Sequence, residues 1–225
     1  MQTSHIFTPA RKETLHNKLR DPFSGISHLI AALLSLIGLG WLMAAGWGNA
    51  VKEISFVIYG LSLVFLFTAS AVYHLVKAGP EVILKLRKFD HSAIYILIAG
   101  TYTPLCLNFF SGFYQWGLPA IEWGMALLGL IINSYMLKAP RWLTTGIYLV
   151  MGWLCMLNIS QMVTVMPVGA IFWLILGGLF YSIGAVVYIT KKPNLSIEFG
   201  FHEIWHIFVI LGAFSHFISI AGYIA

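Results

Sequence analysis

The chain has 225 residues, of which 59% are hydrophobic and only 9% charged. That excludes a soluble globular domain and points to a protein that crosses a membrane many times. The formal charge of +5 is no sign of a nucleic-acid partner, because the basic residues sit in short connections between apolar runs, where they orient a membrane protein.

Seven apolar runs of spanning length follow one another at about residues 26–46, 54–76, 89–110, 118–137, 142–162, 168–190 and 202–223. An all-α fold of seven transmembrane helices is expected, with residues 1–25 as a polar N-terminal tail and 26–225 as one helical domain. The tail is mixed in charge and reads as no secretory signal. All 13 lysines and arginines except Lys52 fall on one side: in the tail (Arg11, Lys12, Lys18, Arg20), around 77–88, at Lys138 and Arg141, and at Lys191 and Lys192. The positive-inside rule then puts the N-terminus in the cytoplasm and the C-terminus outside, in the cell membrane. Trp47, Trp116 and Trp142 stand at span ends as interfacial anchors. Cys106 and Cys155 lie within apolar runs and read as free thiols.

In this orientation three spans deliver polar groups to one depth. The second ends with Ser70-Ala71-Val72-Tyr73-His74, the third starts with Phe89-Asp90-His91-Ser92, and the seventh starts with His202-Glu203-Ile204-Trp205-His206. At a rise of ~1.5 Å per residue, His74, Asp90, His202 and His206 fall within roughly 10 Å of the inner boundary. His202 and His206, four residues apart, share one helical face. Ionisable groups inside a membrane are costly and mark functional sites. Neutral imidazoles suit Zn²⁺, whose catalytic sites combine three protein ligands with an open position that activates water. Asp90 is the carboxylate to hold that water or take its proton. Ser70, on the face of His74, is a hydrogen-bonding partner for the water or a substrate oxygen.

Ser70-x-x-x-His74, Phe89-Asp90-His91 and His202-x-x-x-His206, with the run Asp90 to Pro104, resemble the hemolysin III branch of the progestin and adipoQ receptor (PAQR) family. The resemblance covers nearly everything from Asp21 onward. It implies seven helices around a zinc ion, His74, His202 and His206 as ligands, Asp90 beside the metal-bound water, and a kinship with alkaline ceramidases, hence a hydrolase of a lipid amide or ester. Many bacterial relatives carry Asn four residues before the first-span histidine; here Ser24 precedes His28.

Plainer roles compete. Asp90 is suited to cap the third helix, and Ser70 to pack between helices. His91 is turned ~100° from Asp90 and reads as a packing residue. His28 is open for a supporting role, and His216 reads as structural. Tyr95 and Tyr102 suit either core or cavity. Pro104 and Pro167 suit a kink or termination near the outer ends of their spans. Other functions compete too: a non-enzymatic receptor or regulator with structural zinc, a pore former, or a protease using His202-Glu203-x-x-His206, in which Glu203 is the base. Membrane lipids are the expected partners.

Overall fold

A computed structural model describes residues 19–135, 140–196 and 199–225. Arg11, Lys12, Lys18 and Lys138, named above, lie outside the described residues. The described chain is helical throughout, and seven helices are long and apolar enough to cross a membrane: α1 Pro22–Gly46, α2 Ala50–Leu75, α3 Pro80–Phe109, α4 Phe113–Tyr135, α5 Arg141–Val165, α6 Val168–Thr190 and α7 Phe201–Tyr223. It is a multi-pass membrane protein.

Neighbours in sequence pack as neighbours in space, as short connections require. α1 packs on α2, α2 on α3, α3 on α4, and α6 on α7, while α1 also meets α7. α3 touches α2, α4, α5 and α7. It is the central post, which explains why it tolerates polar residues that a lipid-facing helix would not. Outward faces carry the apolar surface instead: Leu33, Leu34, Ile37 and Trp41 of α1 are exposed, as are the span-end tryptophans Trp47, Trp116 and Trp142. Hydroxyls inside the bundle fold back on their own helices, Thr101 onto the carbonyl of Leu97 at 2.8 Å and Ser215 onto that of Leu211 at 2.8 Å. This satisfies them without a partner helix.

Two helices depart from their expected outlines. α3 begins at Pro80, nine residues before the apolar run, because Glu81, Lys85, Arg87 and Lys88 extend it as a polar helix. Its N-cap is Gly79, so Asp90 lies in the helix interior and caps nothing. α5 is interrupted: an α-helix over Arg141–Trp153 tightens to a 3₁₀ turn over Leu154–Asn158 before Ile159–Val165 resumes. The Tyr102 hydroxyl fills the break. It lies 2.8 Å from the Met151 carbonyl and 3.1 Å from that of Gly152, and accepts the Cys155 N–H at 2.8 Å. Irregular backbone at membrane depth survives where protein supplies such partners. Tyr95 is core, packed with Ala99, Ala126 and Met151. Pro104 sits inside α3, which runs on to Phe109, and Pro167 stands at the N-cap of α6.

α1 starts at Pro22, and a side chain at Gly25 would overlap Leu75. That glycine lets the head of α1 lie against the tail of α2, the close approach small residues permit between membrane helices. The Asp21 N–H donates to the His74 carbonyl at 2.8 Å, fastening the two ends.

Candidate metal centre

Where α2 ends and α7 begins, three imidazoles meet. His74 stands in the last turn of α2, and His202 and His206 are one turn apart at the head of α7, so helical spacing alone aims the latter pair together. One ring nitrogen from each of the three lies within 4.8 Å of the others. Ring centroids are 5.0 Å apart for His74 and His202, 4.7 Å for His74 and His206, and 4.7 Å for His202 and His206. His74 and His206 are buried, at 2% and 0% exposure, while the His202 side chain is 31% exposed.

Each ring spends its other nitrogen on a protein group. His74 Nδ1 donates to Asp21 Oδ2 at 3.0 Å. His206 Nδ1 lies 2.8 Å from His28 Nε2, and His202 Nδ1 lies 3.5 Å from Ser24 Oγ. The Nε2 atoms of His74 and His206 are buried with no partner among the described residues. Leaving a buried polar atom unmatched costs about 1–3 kcal/mol, and two such atoms turned on one spot are what a cation would match. Supporting hydrogen bonds to the far nitrogen are the pattern of metal-bound histidine. The residues therefore fit a metal ion, which His74, His202 and His206 would hold.

Asp21 went unread in the sequence as a site residue. Preceding Pro22, it looks like a helix cap, yet its side chain makes no cap hydrogen bond and turns to His74 and Arg20 instead. The hydrogen bond from His74, aided by the Arg20 guanidinium, outweighs partial burial and holds its carboxyl at about 2. His28 was open, and the 2.8 Å contact makes it the neighbour of His206. For His28 the sequence signals were its depth and the family position that Ser24 precedes; for Asp21 there was none.

Asp90 and Ser70 are both buried, at 5% and 2% exposure. Neither belongs to the three-imidazole cluster. They line an adjoining cavity of about 150 Å³ together with His28. The cavity follows α3 away from the histidines through Leu97 and Tyr102 to Cys106 and Phe110. From Asp90 to Cys106 that path is roughly 24 Å at ~1.5 Å per residue, walled mostly by Leu, Ile and aromatic side chains. His91 lines it too, and its carbonyl accepts the Tyr148 hydroxyl at 3.1 Å. His216 lies in the wall 3.2 Å from the Leu174 carbonyl. Cys106 and Cys155 are free thiols. Glu203 is committed elsewhere: its Oε2 accepts the Gly200 N–H at 2.9 Å, closing the head of α7, and its Oε1 is 3.9 Å from His202 Nδ1.

A sequence model of the family described as Haemolysin-III related matches residues 16–217. The chain belongs to that family. Among relatives of this haemolysin-III protein, the Hemolysin-3 homolog of Bacillus subtilis (strain 168) is 37% identical over 204 residues, covering 89% of this chain and 92% of its own. Hemolysin-3 of Bacillus cereus is 34% identical over 203 residues, covering 89% and 90%. The human Monocyte to macrophage differentiation factor is 29% identical over 184 residues, covering 77% and 71%.

Proposed function

We propose that this haemolysin-III protein is a zinc-dependent hydrolase of a lipid amide or ester, with its N-terminus in the cytoplasm and its histidine layer at the inner leaflet of the cell membrane. The observation that carries the reading is a three-imidazole cluster, two of whose rings have a buried nitrogen with no partner among the described residues, beside an apolar cavity with a carboxylate and a hydroxyl at the same end.

His74, His202 and His206 hold the ion; when bound, Zn²⁺ supplies a Lewis acid for a carbonyl and brings a water within reach of deprotonation near neutral pH. The apolar cavity along α3 takes the acyl chain and excludes bulk water from the reacting end. Asp90 accepts the proton of the attacking water and returns it to the leaving amine or alcohol. Ser70 hydrogen-bonds the water or the substrate oxygen and so fixes its approach. Asp21 and His28 keep two of the ligand rings aimed. Glu203 caps α7, which leaves a protease reading of His202-Glu203-x-x-His206 without its base.

The test is to purify the protein, measure its zinc, and assay a panel of lipid amides and esters beside Asp90→Ala. The expected result is one zinc per chain in both and turnover in wild type alone. Bound zinc with no turnover of any substrate overturns the hydrolase and favours a receptor or regulator with a structural ion.

A further inference from the structure

His28 belongs to no ligand set, yet it touches both halves of the site. It is 2% exposed, lines the cavity with Ser70 and Asp90, and packs edge-on against Phe67 at a centroid distance of 5.1 Å. Its Nε2 lies 2.8 Å from His206 Nδ1, so one proton is shared between these two atoms and only its direction is open. His28 Nδ1, like His206 Nε2, is buried with no partner among the described residues.

The metal reading decides the direction. The Asp21 carboxylate can only accept, so the His74 proton in this contact is on Nδ1 and its Nε2 carries a lone pair. Were His28 the donor, a neutral His206 would carry its proton on Nε2. That N–H would occupy the nitrogen a cation needs; since the other assignment leaves the His28 Nδ1–H without a partner among the described residues as well, the metal and not the hydrogen-bond count decides. With His206 as donor, two lone pairs converge instead, as a cation requires. The neutral His28 must then carry its own proton on Nδ1.

We propose that His28 is a positioning residue: its Nε2 accepts the His206 Nδ1–H and holds His206 Nε2 toward the cation. The inference rests on the metal reading above but not on turnover. The acceptor end fixes metal affinity.

Amide side chains separate the two ends, because the Gln carbonyl reaches about where His Nε2 sits and the Asn amide about where Nδ1 sits. Zn²⁺ affinity is measured on detergent-purified full chain by chelator competition for wild type, His28→Gln, His28→Asn and His28→Leu. His28→Gln keeps an acceptor for His206 and binds Zn²⁺ close to wild type. His28→Asn and His28→Leu bind about 10–100-fold more weakly, the range for losing a supporting partner. A His28→Gln as weak as His28→Leu, or a His28→Asn as tight as wild type, overturns the proposal. Imidazole ¹⁵N NMR of the zinc-loaded wild type finds the His28 proton on Nδ1; a proton on Nε2 also overturns it. A wild type that binds no Zn²⁺ sinks the metal reading and this inference together, whereas Zn²⁺ bound equally by all four proteins sinks this inference alone.

Discussion

The two ends of the cavity treat buried polar groups in opposite ways. At the end where α2 stops and α7 starts, His28, His74, His202 and His206 gather with Asp21, Ser70 and Asp90, and one ring nitrogen from each of His74, His202 and His206 lies within 4.8 Å of the others. Roughly 18–24 Å along α3 from Asp90, at ~1.5 Å per residue, near Tyr102 and Cys106, the polar groups are single. Glu122 of α4 is fully buried, within electrostatic reach of Tyr102, Cys106 and Cys155, and neither of its oxygens has a partner among the described residues. Tyr102 closes the break in α5 and so spends its hydroxyl on backbone. Burial alone therefore does not identify a site; convergence of complementary unmatched atoms does. A lone buried acid is a stability cost, while a ring of lone pairs is a binding capacity.

Substitutions that treat the two ends alike would break this comparison, and the largest effect is expected at Asp90. Asp90→Asn keeps its zinc but loses about 10²–10⁴-fold in turnover, the share that a general base supplies. Loss of zinc together with activity in a zinc titration would make Asp90 a ligand instead. Asp21→Asn comes next: with the carboxylate gone, His74 loses its strongest orienting partner and Zn²⁺ affinity falls about 10–100-fold. Chelator competition reads this directly, and an unchanged affinity would reduce the Asp21 contact to a fastening between helices.

At the far end the effects fall on stability. Tyr102→Phe strips the Cys155 N–H and two carbonyls of their partner and lowers stability by about 1–3 kcal/mol, read as a drop in melting temperature with zinc content intact. Glu122→Gln is the smallest change. It keeps the shape, removes a group whose charge burial disfavours, and raises the melting temperature with zinc and turnover unchanged. A Glu122→Gln protein that lost zinc or activity would join the two ends into one site.

Much of this was legible in the sequence for simple reasons. Seven spans follow from apolar runs of bilayer length, and His74, His202 and His206 follow from depth and from four-residue spacing on one helix. What stayed hidden needed contact, not depth. Asp21 before Pro22 has the form of a helix cap, and only the close seat of Gly25 against Leu75 shows why its carboxylate reaches His74 instead. The break in α5 was invisible because Leu154, Cys155 and Met156 continue an apolar run without proline; its cause, the Tyr102 hydroxyl, comes from another helix. The start of α3 at Pro80 was missed because charged residues there read as a loop, although they extend a helix beyond the apolar segment.

The central claim is that α2 and α7 together hold one divalent cation. Its most direct test is the zinc content of the purified wild-type chain beside His74→Ala, His202→Ala and His206→Ala. One zinc per wild-type chain, lost in each of the three variants, is the predicted result. A folded wild type that takes up no zinc, and whose melting temperature neither added zinc nor a chelator moves, would contradict it.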